Sequence, residues 1–422
     1  MFDVGVAVID ITPPAGLSMA GFGARTQPAI GAHDRLTARA VAVGDTAIVV
    51  ADVLGIHEAM SARIRERCCL PADNVIVAAV HNHGGPASMA GRAGHGADPA
   101  YLERLESACV GAIDAAVVNQ QKAEMTIGMG GDPDVARNRR HPGGPVDRAL
   151  PVLRIRTLDG AMLAVITSYA CHPVVLGADN LLWTTDYPHY VRSGIEAAYP
   201  GATALFLTGC TGDVNTGHNA QASLSLGANA ERSFATAERL GRRIADAALR
   251  APEAPVGPDI GVGNAHVLLE FARRETEPLP VLAARWRAES ATDPARAELL
   301  RYWIEWAEAS AAITDPAPWP GRVTLLNWGG VALVALPGEI FAETGLSIRA
   351  ALEGGPAFVF SYADGTPGYI PPASEFRHGG YEVDEAHRYF GLPASFAPGS
   401  AEALADTAKA LLAAAKPLQA AN

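Results

Sequence analysis

The sequence predicts an α/β protein in which mixed β-sheets are flanked by helices. Three observations carry that prediction. Short apolar, β-branched runs recur along the chain and stop at loops rich in polar groups, and segments with helical apolar spacing lie between them. The chain has 43 glycines and 30 prolines, which call for many tight connections rather than a bundle of long helices. With 49% hydrophobic and 18% charged residues over 422 positions, there is material for a large core, and a disordered chain is excluded.

The elements follow in order. GVAVIDIT ends at Pro13-Pro14, and LTARAVAVG and TAIVVADVLG read as buried strands. A helix is expected over Ser61–Cys69. The buried strand VIVAAV then runs straight into His81-Asn82-His83-Gly84-Gly85. Residues 101–119 read as a helix, and strands follow near 124–130, 151–157 and 161–170, the last ending at Cys171-His172-Pro173. A helix over 187–198 leads to the strand ALFLTG, which stops at Cys210-Thr211-Gly212-Asp213-Val214-Asn215. After a helix at 230–250 comes a proline-rich connection at 251–258. Residues 280–312 shift to Ala, Glu, Arg and Trp, the composition of a helical hairpin with its tryptophans turned to the body. TLLNWGGVALVALPGEIF and AFVFSYA return to strand, and an Ala/Leu-rich helix is expected from Ser400. No repeat and no linker appears, so residues 1–422 are read as one domain.

Charge and cysteine content narrow the function. The net charge of −12, without a basic block, argues against nucleic acid and anionic membrane surfaces as partners. No run approaches the ~18 consecutive apolar residues of a membrane span. The start MFDVGVAVIDITPP has neither a basic n-region nor a long apolar stretch, so no signal peptide is expected. Five cysteines without a CxxC pair point to free thiols and a cytoplasmic location.

The chemistry concentrates at strand ends. In an extended segment, positions i and i+2 face the same way, so His81 and His83 can line one cavity. As a pair they read equally as metal ligands or as polar loop residues. His172, after a buried strand and before a proline, reads alone as a core histidine, and Glu339 reads alone as a first-turn acid of the next helix. Together, histidines and a carboxylate from separate strand ends match a catalytic zinc site with an open position.

These blocks also carry a resemblance. VGVAVIDITPP with GFGAR after it, AAVHNHGGP, YACHPVVLG followed by TTDYP, GDVN, LPGE, and GYIPP with Tyr381 beyond occur in the order found in the neutral ceramidase family, over most of residues 4–390. The chain resembles the catalytic domain of that family of zinc amidases, in a catalytic-domain-only, bacterial-type form. The resemblance implies Zn2+ held by His81, His172, Glu339 and Tyr369, with His83 facing the substrate. It implies Tyr381 as a donor to the oxyanion and Arg139 as a substrate clamp, a role that Arg140 shares in this reading. Asp186 is a candidate to orient His172, or else a helix N-terminal acid.

The sequence departs from the family at two places. Where the family has an active-centre serine after Gly-Asp-Val, this chain has Asn215, which offers no hydroxyl nucleophile. Where the family has Thr-Thr after the zinc tyrosine, it has Pro371-Pro372. The expected activity is therefore hydrolysis of an amide bond in a small soluble substrate by metal-activated water, with Asn215 placing the carbonyl or the water. A zinc lactonase or esterase and a non-catalytic metal-binding scaffold are the alternatives. The loop histidines His95, His141 and His218 are read as surface residues, and the 280–312 hairpin as a lid or as a contact in a homo-oligomer.

Overall fold

The computed structural model describes residues 1–93, 96–219, 229–293, 296–352, 354–355 and 357–415. The first sheet takes β1 (Phe2–Asp10), β2 (Thr37–Val43), β3 (Thr46–Ala51), β4 (Val75–Ala79), β5 (Gln121–Gly130), β6 (Leu150–Thr157), β7 (Met162–Tyr169), β8 (Thr203–Thr208) and the short β9 (Ala254–Pro255). Its order is β8-β7-β6-β5-β1-β2-β3-β4, with β9 against β5. The centre is antiparallel, whereas the two ends are parallel pairs, β7 with β8 and β3 with β4. The sheet curls until these ends meet, and Thr208 Oγ1 at the end of β8 donates to the carbonyl of Val80 past β4 at 2.6 Å.

A second sheet runs β10 (Ile260–Leu269), β11 (Trp319–Trp328), β12 (Val331–Ala335) and β13 (Ala357–Phe360) in that order, with β12 and β13 parallel. The chain leaving β13 threads the seam of the first sheet, forming single antiparallel bridges from Phe360 to Gly209 and from Ala363 to Ala78. The carboxyl ends of β3, β4, β7, β8, β12 and β13 thereby converge on one spot. The sequence reading left 259–279 unassigned. β10 was hidden there because its glycines and Asn264 dilute the apolar pattern, and its pairing with β11 is what makes it a strand.

Packing follows the strand period. Along β2, Ala38, Ala40 and Ala42 face α1 (Glu58–Arg67) and α2 (Pro99–Val118), while Val41 and Val43 face the inner core. Small outward residues let those helices lie close. α2 begins where Asp98 caps it by accepting from Tyr101 N, with Pro99 at its first position. α1 starts three residues earlier than the sequence reading, because His57 Nδ1 accepts from Ala59 N as its cap. On the other face α3 (Tyr187–Ala198) packs on α4 (Phe234–Leu249). At Gly241 a Cβ would stand 2.5 Å from Tyr187 O, so only glycine permits that approach.

The hairpin appears as α5 (Leu279–Thr292) and α6 (Ala297–Ser310). Trp286, Trp303 and Trp306 are buried, and the Arg388 guanidinium lies 4.4–5.4 Å from their ring centroids. Trp303 Nε1 donates to Tyr389 Oη and Trp306 Nε1 to Leu392 O. α7 (Ala342–Ala350) and α8 (Ser400–Ala415) complete the described chain. The five cysteines are free thiols. Among the described residues, no helix is long and apolar enough to cross a membrane.

Candidate active site

Each imidazole stands just past a strand of one parallel end pair and is fixed by the chain leaving the other strand of that pair. His81 follows β4, and its Nδ1 donates to Leu54 O, past β3, at 2.6 Å. His172 follows β7, and its Nδ1 donates to Thr211 O, past β8, at 3.3 Å. A carbonyl can only accept, so both rings carry a proton on Nδ1 and turn Nε2 toward the other ring. His81 has φ +67°, a left-handed backbone that non-glycine residues rarely adopt, and the surrounding pairing holds it there.

The ring nitrogens converge. His81 Nε2 lies 2.8 Å from His172 Nε2, and His83 Nε2 lies 3.2 Å from the same atom. Glu339 Oε2 stands 3.2 Å from His81 Nε2 and 3.8 Å from His172 Nε2, buried and without a hydrogen-bond donor. Glu339 arrives through the Pro337-Gly338 turn. Gly338 has φ +74°, and a Cβ there would meet Gly368 O at 2.8 Å. Glu339 then pairs with Tyr369 in a two-residue parallel ladder, which sets both side chains on one face.

Ring nitrogens and a carboxylate oxygen packed this closely need protons or a cation between them. Protons are disfavoured: burial, then the His81 neighbour, then arginines including Arg139 hold the His83 and His172 imidazoles well below their ordinary pKa. Neutral imidazoles with a buried carboxylate are the donor set a divalent metal takes, so the residues fit one. Among the described residues, His81, His83 and His172 bring their ligand atoms within 4.8 Å of one another.

Other expected site residues fall in two groups. Tyr369 and Tyr381 line the cleft above the histidines, rings 5.7 Å apart, and burial pushes both phenols well above their usual pKa. Arg139 is beside the site but is spent inside the protein. Its Nε donates to Glu382, and its Nη2 to Gly212 O and to Tyr369 Oη at 3.0 Å. Arg140 is taken up by Glu375, Glu382 and Gly379 O. These bonds make Arg139 a holder of Tyr369. Asn215 is buried, its Oδ1 accepting from Gly217 N and His218 N and its Nδ2 donating to His218 O, so both ends of the amide serve its own turn. Asp186 caps α3 and accepts from Val175 N and Leu176 N, and makes no bond to His172. His141 pairs with Glu375, and His95 lies outside the described residues.

Sequence reasoning missed Tyr362. Its ring stacks on His81, with centroids 3.9 Å apart and planes at 14°, and its hydroxyl shares a 2.6 Å hydrogen bond with Thr211 Oγ1. Thr211 is the residue whose carbonyl fixes His172, so one tyrosine braces both histidines. Arg25, within the GFGAR block, donates Nη2 to His83 O at 2.8 Å. Above the cluster opens a cleft of about 550 Å3, counting its mouth, walled by Phe22, Leu54, Tyr302, Tyr389 and Phe390.

Comparison with known proteins agrees with this geometry. Residues 2–204 match the sequence model of the neutral/alkaline non-lysosomal ceramidases, N-terminal region. A solved structure described as a ceramidase complexed with C2 superposes with a TM-score of 0.74 at 20% identity, covering 98% of this chain and 75% of that one. A neutral ceramidase from Pseudomonas aeruginosa gives 0.72 at 19% identity, covering 98% and 74%. At such identities the two structures speak to fold, and the sequence match speaks to family. Residues 2–204 thus match the sequence pattern of the neutral/alkaline ceramidases, and over its length the chain has the fold of these two solved structures.

Proposed function

We propose that the protein is a zinc-dependent hydrolase that cleaves the N-acyl (amide) bond of a small substrate with water. The observation that carries the reading is the close-packed cluster of His81, His83, His172 and Glu339 at the floor of an aromatic cleft. His81 and His172 would hold the metal as neutral imidazoles, Glu339 would offset its charge, and Tyr369 would complete the set. Bound zinc supplies Lewis-acid polarisation of the carbonyl and a lowered pKa for water.

The remaining chemistry belongs to the chain. Tyr381, its phenol kept protonated by burial, donates to the oxygen that gains charge as the carbonyl turns tetrahedral. His83, neutral and exposed to the cleft at one edge, takes the proton of the attacking water and returns it to the leaving amine. Arg139 positions the Tyr369 hydroxyl. Asn215 supplies no nucleophile, which leaves water in that role. The aromatic walls exclude bulk water and seat the apolar part of the substrate.

The test is a panel of N-acyl amides, lactones and simple esters, offered to protein stripped by a chelator and to the same protein restored with zinc. Amide hydrolysis that disappears on stripping and returns with zinc is expected. Turnover of lactones or esters alone would overturn the amide assignment, and amide turnover indifferent to chelation would overturn the metal mechanism.

A further inference from the structure

The far wall of the cleft comes from the helical hairpin. Tyr302, on α6, faces Tyr389 with ring centroids 5.7 Å apart. Tyr389 is anchored: its hydroxyl accepts from Trp303 Nε1 at 2.9 Å, its carbonyl accepts from Ala93 N at 2.7 Å, and its ring lies 6.1 Å from that of Tyr381. Both tyrosines also line a second hollow of about 830 Å3, counting its mouth, bounded on its other sides by Trp306, Ser310, Arg388 and Gly391. The two rings therefore stand as a partition between the cleft over the histidines and an adjoining space.

The charges around that second space are already engaged. Arg301 pairs with Glu298 and Glu305, and Arg388 pairs with Glu275 while its guanidinium lies over three tryptophans. The hollow thus offers room and apolar surface more than it offers a charge to a headgroup. Of the two partition rings, Tyr302 is the one on the hairpin and only half buried, whereas Tyr389 is tied to the body.

We infer that Tyr302 sets the length of the apolar group the protein accepts: its ring ends the cleft, so the substrate class is N-acyl compounds with a short or single-ring acyl group. This rests on the reading of the cleft as the hydrolase site. A chain that reaches the Tyr302–Tyr389 pair must stop there or push the hairpin aside. With the ring gone, the cleft and the hollow become one channel, and each further methylene buried in it adds about fourfold to affinity.

The experiment uses zinc-loaded wild type, Tyr302→Phe, Tyr302→Ala and Tyr302→Trp. Each is titrated calorimetrically with straight-chain carboxylates from butyrate to laurate, and in parallel assayed for kcat/KM on the matching N-acyl amides. In wild type and Tyr302→Phe, affinity should climb with chain length and level off early. In Tyr302→Ala the climb should continue for several more methylenes, with KM falling for the longer acyl chains. Tyr302→Trp, which keeps the wall and thickens it, should level off sooner, and it decides the matter if the alanine variant melts too low to use. Identical length profiles in all four proteins, or a wild type that binds no carboxylate or gains steadily up to laurate, would overturn the proposal. A length break that moves with residue 302 while no amide is hydrolysed would instead sink the hydrolase reading and leave the partition standing.

Discussion

Tyr362 shows how much of the site depends on a side chain that is not itself an expected ligand. Its φ of +61° is left-handed, and that turn lays its ring flat on His81 while its hydroxyl reaches Thr211. Replacing it by phenylalanine keeps the stack and removes one buried hydrogen bond, a loss of about 1 kcal/mol in a denaturant melt with metal affinity nearly intact. Replacing it by alanine removes the ring as well. Stability should fall by about 3–5 kcal/mol, and zinc affinity, measured by competition with a chelator, by roughly 10- to 100-fold as the two imidazoles lose their brace. An alanine variant that holds zinc as tightly as wild type would show that the histidines are fixed by Leu54 and Thr211 alone. Local pattern could not reveal this tyrosine, because its partners come from β4 and β8, far away in sequence. Tyr369 had no local signal either and came only from the family resemblance, whereas His81, His172 and Glu339 were visible as polar residues at the ends of apolar runs.

At the scale of elements, the seam between the sheets is pinned by one carboxylate. Asp364, just past the bridge from Ala363 to Ala78, receives Arg65 from α1 at 2.7 Å and Arg322 from β11 at 3.0 Å; its N donates to Val77 O of β4, and its carboxylate accepts from Val77 N. All three side chains are well buried. Asp364→Ala would leave the Arg65 guanidinium without its carboxylate and Arg322 with only the exposed Asp73 as ion partner, so a loss of about 3–5 kcal/mol in a urea titration is expected. A loss below 1 kcal/mol would mean that water reaches the seam and the pin is not needed. Strands such as β4, β7 and β8 were legible because near-continuous apolar runs are what a doubly covered strand requires. β10 was not legible, since half of its residues are only partly buried and glycines interrupt it. The hairpin was read correctly down to its inward tryptophans, but its reach into the cleft through Tyr302 depends on how α6 docks, which composition does not encode.

Over the whole molecule, the candidate metal set joins regions that share no other reason to meet. His81 leaves β4, His172 leaves β7, and Glu339 and Tyr369 pair across a ladder that follows β12 and β13. The sequence made these residues candidates one at a time, and only closure of the curled sheet against the second sheet makes them neighbours. The same closure explains why Arg139, read as a substrate clamp, became internal: its partner Glu382 is 243 residues away along the chain and arrives only with the fold. If the account is right, each ligand is needed although each comes from a different part of the structure. The most direct measurement is therefore elemental analysis of the purified wild type beside His172→Ala and Glu339→Ala, with circular dichroism to confirm that the variants fold. The account predicts about one zinc per wild-type chain, as a site of this donor set holds, and loss of it from both folded variants. A wild type that stays metal-free after zinc is supplied during expression, or folded variants that keep a full complement, would contradict it.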